Sequence, residues 1–226
     1  MENKKSGFEN IKENIIKIKQ EVLKNKLCDE ATIIAATKTV DADRINFALD
    51  NGITHIGENK VQELIEKYDY INKKAVFHFI GHLQKNKVKY IIDKVSYIHS
   101  LDNIELAKEI DKRAKNINII MNICNEETKS GILIEKFDDF YNELLCFNNI
   151  NICGIMAIPK PNCDIKYFKT LFDLFSKYKN INNNIKYLSM GMTNDYIPAL
   201  QSGSNMIRIG RGKNIRRILL WVYLIR

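Results

Sequence analysis

The strongest constraint on the fold of this chain is a regular alternation of short apolar stretches with segments of helical periodicity. Eight apolar stretches of four to seven residues predict strands at 32–36, 53–56, 76–80, 95–98, 117–123, 150–155, 185–188 and 206–209. Predicted helices cover 42–50, 60–68, 84–91, 103–115, 135–145, 164–179 and 194–201. Because most of these strands are apolar without polar alternation, both of their faces are expected to be buried, as in a parallel sheet.

The number of strand and helix units favours a closed (β/α)₈ TIM barrel, with an open doubly wound sheet as the alternative. The chain has 226 residues, which suits a single domain. An additional N-terminal helix is predicted over 8–26, where Ile11, Ile15, Ile18 and Val22 recur at helical spacing. No linker or internal repeat interrupts residues 1–210, so they are assigned to one barrel.

The formal net charge of +8 is concentrated at the end of the chain. Residues 211–226 contain five basic residues and no acidic one, which leaves 30 basic against 27 acidic residues, or +3, in the remainder. Interspersed charge of this kind is typical of a solvated surface, and no nucleic-acid partner is expected. Binding of RNA by the basic tail remains an alternative hypothesis, and it predicts a strong dependence on salt.

The cysteines and the N-terminal segment indicate a cytoplasmic protein. The five cysteines are odd in number and form no CxxC pair, so reduced thiols and no metal site are expected. The N-terminus mixes Lys and Glu without an apolar core, unlike a signal peptide. The longest apolar run, Ile218 to Ile225, is far shorter than the ~18 residues of a spanning helix, and no membrane association is expected.

Lys38 lies directly after the first predicted strand, where a barrel places its functional loops. Desolvation at a barrel mouth favours the uncharged amine, the nucleophile that attacks an aldehyde. The position alone favours the alternative, a lysine that extends into solvent from a strand end.

The loops after the last two predicted strands resemble a phosphate site. Ser189 to Thr193 combine glycine with hydroxyl groups before a predicted helix, and Arg208 with Gly210 follows on the neighbouring strand. A simple capped turn is the alternative. Asn59 could hydrogen-bond a ligand or merely begin a helix, and His78 fits a core histidine better than a base.

Eight stretches, taken in order over about residues 8–211, resemble the pyridoxal phosphate homeostasis protein family, which is similar to the N-terminal barrel of alanine racemases. The stretches are Ala35–Thr39, Gly57–Glu63, His78–Gln84, Asn86–Val88, Lys129–Gly131, Gly154–Pro159, Leu188–Thr193 and Arg208–Gly210. Each is weak alone, whereas the ordered set is specific.

The resemblance implies that pyridoxal 5′-phosphate (PLP) is the cofactor and that Lys38 holds it as a Schiff base. It further implies that Thr193 and the backbone amides of Gly210 and Arg211 bind the phosphate. Arg208 would face the ring nitrogen, and Asn59 would lie near the ring substituents. No residue is assigned as catalytic.

The function that the resemblance implies is intracellular PLP (vitamin B6) homeostasis by a cytoplasmic monomer, with PLP-dependent apo-enzymes as possible recipients. A PLP-dependent amino-acid racemase is the alternative. It is disfavoured because an arginine at the ring nitrogen opposes ring protonation, which PLP catalysis uses. Only 16 residues follow Gly210, too few for the second domain of alanine racemases. Robust catalysis is therefore not expected.

The chain departs from the family pattern at several positions. Lys60 stands where the family usually has an aromatic residue, and Phe77 replaces the usual Trp or Tyr. Thr193 replaces serine but keeps the hydroxyl. Residues 211–226 form an atypical basic and apolar tail, for which a truncation or a change of reading frame is one hypothesis.

Overall fold

A computed structural model describes residues 2–124, 130–160 and 163–210. Its strands are β1 (Thr32–Ala36), β2 (His55–Glu58), β3 (Val76–Phe79), β4 (Tyr97–Leu101), β5 (Ile117–Cys124), β6 (Ile132–Leu133), β7 (Ile150–Ala157), β8 (Tyr187–Met192) and β9 (Met206–Ile209). Its helices are α1 (Glu2–Asn25), α2 (Ala42–Asp50), α3 (Val61–Tyr68), α4 (Ile104–Arg113), α5 (Phe137–Leu144), α6 (Ile165–Ile181) and α7 (Tyr196–Gln201).

Eight of these strands close into a parallel barrel. The order around the ring is β1, β2, β3, β4, β5, β7, β8 and β9, and β1 pairs with β9 to close it. The short β6 pairs only with the end of β5 and lies outside the ring. The predicted (β/α)₈ fold is therefore confirmed, and the open sheet is not formed.

The helices surround the barrel, and their ends follow the capping signals in the sequence. The Asp41 side chain accepts a hydrogen bond from the Arg44 amide at the start of α2, as predicted. The predicted N-terminal helix is present as α1, and its apolar stripe of Ile11, Ile15 and Ile18 is buried in the core. No helix in the described ranges is long and apolar enough to cross a bilayer.

Several predicted elements differ from the structure, and the strand predicted at 185–188 is found at Tyr187–Met192. The segment predicted as a helix over 84–91 is a 3₁₀ helix, Lys85–Tyr90, with hydrogen bonds between residues three apart. Strands β2 and β4 begin two residues later than predicted and extend further, because they include the buried polar residues Glu58 and Ser100. Prediction from apolar runs therefore ended these strands too early.

Candidate functional site

A cavity of about 610 Å³ opens at the carboxyl ends of the barrel strands. Its lining includes five of the six residues predicted from the sequence: Lys38, Asn59, Thr193, Arg208 and Gly210. These residues come from the ends of four strands, so the closed barrel brings together positions that are up to 172 residues apart. The sixth, Arg211, lies outside the described residues, as does the tail over 211–226. The volume is typical of a site for a small organic ligand.

Lys38 lies on an exposed turn at the rim of this cavity. The next residue, Thr39, has a left-handed backbone with φ of 60°, which is uncommon for a residue with a side chain. The Thr39 amide donates to Oε2 of Glu63 at 2.7 Å, which helps to hold this turn. The expectation that Lys38 would be desolvated at the barrel mouth is wrong: its side chain is exposed, as in the alternative of a lysine that extends into solvent from a strand end.

A cluster of Glu58, Lys67 and Glu63 lies beneath the Lys38 turn, and we call it the acidic clamp. The Nζ atom of Lys67 lies 2.9 Å from Oε1 of Glu58 and 3.3 Å from Oε2 of Glu63. The same amine donates to the Thr37 carbonyl at 2.9 Å, and the Thr37 hydroxyl donates to Glu58 at 2.7 Å. The residue before Lys38 is therefore bound through both its backbone and its side chain.

Glu58 is the most deeply buried member of the acidic clamp, with 1% of its surface exposed. Burial raises its pKa, although the hydrogen bonds from Thr37 and Lys67 work against this increase. Its second oxygen, Oε2, is buried without a hydrogen-bond partner in the described structure. The carboxylate consequently depends on Lys67 for compensation of its charge.

Asn59 follows Glu58 at the end of β2 and contacts the loop that begins with Gly81. A Cβ atom placed on Gly81 would lie 2.1 Å from the Asn59 carbonyl oxygen and 2.7 Å from its carbonyl carbon. Only glycine permits this approach of the two backbones, so Gly81 determines where Asn59 meets the cavity.

Arg208 is buried at the base of the cavity, where its guanidinium contacts β7 and β8. It donates to the carbonyl and hydroxyl oxygens of Ser189 at 2.8 and 2.7 Å and to the Ala157 carbonyl at 3.0 Å. Burial lowers the pKa of Arg208 to about 10, and the charge of Asp195 opposes this shift. The side chain thus remains cationic at neutral pH, and its hydrogen bonds in the described structure go to uncharged oxygens.

Thr193 and Gly210 join the two loops that were predicted to bind phosphate. The Gly210 amide donates to the Thr193 hydroxyl oxygen at 3.0 Å, which leaves the hydroxyl proton for another acceptor. The expected support from a helix start at Asn194 is weaker than predicted. Helix α7 begins at Tyr196 and has only six residues, and the Asp195 carboxylate accepts the Met192 amide at 2.6 Å.

A row of histidines crosses the barrel interior below the cavity. Nδ1 of His55 lies 2.8 Å from Nε2 of His78, and Nδ1 of His78 lies 2.8 Å from Nε2 of His99. Nδ1 of His99 lies 3.4 Å from the Ser189 hydroxyl, which contacts Arg208. His78 is thus a core histidine, as the sequence favoured. We call the three histidines together with Ser189 the histidine relay.

Sequence reasoning missed Lys67 and two of the relay histidines. Lys67 lies within a helical segment rich in charge, where nothing distinguishes it from a surface lysine. His55 and His99 could have been noticed because, like His78, they interrupt the apolar character of predicted strands or their edges. A buried histidine on each of several neighbouring strands is a signal for an interior network.

Known proteins resemble this chain over most of its length. The family described as alanine racemase, N-terminal domain, matches residues 8–212. The pyridoxal phosphate homeostasis protein of Aquifex aeolicus is 36% identical over 192 residues, covering 80% of this chain and 84% of the relative. The protein of that name from Haemophilus influenzae is 33% identical over 221 residues, covering 89% and 93%. The structure of PipY from Synechococcus elongatus with PLP bound has a TM-score of 0.78 at 24% identity, covering 88% of this chain and 97% of PipY.

Proposed function

Because this chain belongs to the alanine racemase N-terminal domain family and, within it, to the pyridoxal phosphate homeostasis proteins, we propose that it binds PLP and serves intracellular vitamin B6 homeostasis. The single observation that carries the proposal is the meeting of Lys38, Thr193 and Arg208 around one cavity of about 610 Å³. An amine can condense with an aldehyde, a hydroxyl group can donate to a phosphate, and a buried cation can donate to a ring nitrogen.

The described residues fit this cofactor. When bound, PLP supplies an aldehyde that condenses with amines and a ring that withdraws electrons. The ε-amine of Lys38 would hold PLP as a Schiff base, with the aldehyde oxygen lost as water. The Thr193 hydroxyl, which accepts from the Gly210 amide, would donate its proton to the phosphate. Arg211, which the sequence predicts to add a backbone amide, lies outside the described residues. Asn59 would lie near the ring substituents.

Arg208 makes the proposed site better suited to binding PLP than to catalysis with it. A guanidinium keeps its protons, so it acts as a donor and favours a ring nitrogen that is not protonated. Such a ring is a weaker electron sink than one protonated beside a carboxylate. Arg208 also has little freedom to move, because three hydrogen bonds fix it to Ser189 and Ala157.

The exposure of Lys38 favours exchange of the cofactor with the surroundings. A Schiff base at an open rim is accessible to water, which reverses its formation, and to amines of other proteins. We therefore infer that the protein delivers PLP to PLP-dependent apo-enzymes, and from the family resemblance we propose that it does so as a cytoplasmic monomer.

The test is the absorbance spectrum of the purified protein with and without added PLP. The wild type should show a Schiff-base band that borohydride removes, and peptide mapping should then place the reduced adduct on Lys38. The variant K38A should lose the band. The matched control is K160A, because Lys160 also lines the cavity and should not be needed.

Two results would contradict this proposal. One is a K38A protein that retains the band, and the other is a wild-type adduct mapped to Lys160. Rapid exchange of the α-hydrogen of alanine in D₂O by the loaded protein would instead favour the racemase alternative.

A further inference from the structure

The histidine relay extends from one end of the barrel to the other. His55 is the first residue of β2 and therefore lies at the amino end of the barrel. There it is partly exposed and lines a separate cavity of about 340 Å³. Arg208, at the other end of the row, lines the candidate cofactor cavity at the carboxyl end. Because His78 and His99 are buried between them, the relay is a continuous polar path through an apolar core.

The charge of Arg208 gives this path one favoured direction. The Arg208 guanidinium can only donate hydrogen bonds, so the Ser189 hydroxyl oxygen must accept one from it. Next to a cation, the Ser189 proton is most stable when it points away, toward Nδ1 of His99. His99 then carries its proton on Nε2 and donates it to Nδ1 of His78. His78 donates in turn from Nε2 to Nδ1 of His55.

The buried histidines are neutral in this arrangement. Burial lowers the pKa of His78 and His99 well below the ordinary value, and the neighbouring histidines lower them further. Arg208 adds to this effect at His99. Burial also lowers the pKa of His55, but this residue is the one partly open to solvent. It is therefore the place where the relay takes up a proton.

The other titratable groups near His55, at the amino end of the barrel, do not supply the proton that His55 takes up. Tyr97 from β4 stacks on His78, with ring centroids 4.5 Å apart, and burial raises its pKa. Cys153 from β7 has its pKa raised to about 12 by burial. Tyr187 from β8 contacts Tyr97 edge to face. Lys19 from α1 lines the same cavity of about 340 Å³ as His55 and adds positive charge there.

Uptake of a proton by His55 would reverse the relay. A doubly protonated His55 presents a donor to Nε2 of His78, which must then accept and hold its own proton on Nδ1. His99 changes in the same way and donates to Ser189. Each inner imidazole keeps one proton on its other nitrogen, so the only charge added is the one on His55. In the reversed relay, His99 donates to Ser189, which lies beside Arg208. The positive charge of Arg208 opposes this direction.

We propose that the histidine relay has one donor direction, set by the charge of Arg208, and that it couples protonation of His55 at the amino end of the barrel to ligand binding at the carboxyl end. A ligand that accepts a hydrogen bond from Arg208 weakens the effect by which the Arg208 charge opposes the reversed relay. It therefore makes His55 easier to protonate, and by reciprocity protonation of His55 favours the ligand. The coupling to PLP rests on the function proposed above, whereas the donor direction does not.

The donor direction is tested in the protein without cofactor by long-range ¹H–¹⁵N correlation spectra of the imidazoles at pH 8. The chain has four histidines, and the fourth, His82, is exposed and serves as an internal reference. His78 and His99 should both carry the proton on Nε2. Protons on their Nδ1 atoms would overturn the proposal.

The role of the Arg208 charge is tested with R208Q and R208K. Loss of the charge in R208Q should raise the titration midpoint of His55, while R208K should keep the wild-type value. Equal midpoints in the two variants would refute the role of charge. If R208Q does not fold, the wild-type tautomers still decide the direction.

The coupling is tested by loading the wild type with PLP and following the same titration. The midpoint of His55 should move upward by more than that of His82. An unmoved His55 in a protein that has taken up PLP would overturn the coupling. A protein that takes up no PLP would refute the proposed function instead, and the cofactor-free spectra would still test the relay direction.

Discussion

Removal of Lys67 from the acidic clamp should destabilise the protein far more than removal of an exposed lysine. The Lys67 side chain is 15% exposed and that of Glu58 only 2% exposed, and they are 2.9 Å apart. In K67M the Glu58 carboxylate would lose its cationic partner while one of its oxygens already lacks a hydrogen bond. Breaking a buried pair in this way costs about 3–5 kcal/mol of unfolding free energy.

The loss should depend on pH in a direction that identifies Glu58 as its source. Without Lys67, burial acts on Glu58 with less opposition, so its pKa in the folded state rises further above the unfolded value. A raised carboxyl pKa gives stability that is present at low pH and lost as the pH rises through the folded pKa. The defect of K67M should therefore be larger at pH 8 than at pH 5.

Urea denaturation at both pH values measures these free energies. The matched control is K74M, since Lys74 forms an exposed pair with Asp50 at 2.6 Å, and such pairs contribute about 1 kcal/mol or less. The double variant E58Q/K67M should recover part of the loss, because the amide carries no charge. The argument is refuted if K67M and K74M are equally stable, or if the double variant is no more stable than K67M.

The other predictions concern a glycine, the relay histidines and the thiols. The variant G81A should bind PLP more weakly than the wild type in a spectroscopic titration, because its Cβ would collide with the Asn59 backbone; unchanged affinity would remove Gly81 from the site. The lowered pKa values of the relay histidines mean that the unfolded chain takes up protons that the native state does not. The unfolding free energy should thus fall below about pH 6.5, by up to about 1.4 kcal/mol per pH unit for each histidine, and a flat profile between pH 7 and 5.5 in urea denaturation would contradict this. Exposed Cys146 should react with a thiol reagent in the native protein, while Cys153, buried and with a pKa near 12, should react only after unfolding; equal rates would contradict the burial.

The sequence was sufficient for the barrel because alternation and capping are local signals. The first strand, Thr32–Ala36, and the helix capped by Asp41 were predicted with their observed bounds. The prediction of strand bounds failed where a strand contains buried polar residues. Glu58 and Ser100 belong to strands although their side chains break the apolar run, since tertiary contacts with neighbouring strands determine where a strand ends.

The sequence was sufficient to predict which residues line the candidate site, because their type and their position at strand ends are both visible in it. It was not sufficient to predict how exposed each side chain is. A lysine after a strand and an arginine in the last strand are visible in the sequence, and both line the cavity. Whether Lys38 is buried depends on how far its turn projects, which the Thr39 conformation and the acidic clamp determine. Those contacts join residues up to 30 positions apart, beyond any local pattern.

Under the proposed function, the rigid base and the open rim of the cavity favour holding the cofactor over using it in catalysis. Arg208 is buried and fixed by three hydrogen bonds, so it can position a ring without rearranging. Lys38, in contrast, is exposed on a turn that the acidic clamp holds in place. Efficient carbanion chemistry benefits from exclusion of water around the reacting bond, whereas release by hydrolysis requires water there. An amine at an open rim therefore permits a covalently bound cofactor to leave by the route through which it entered.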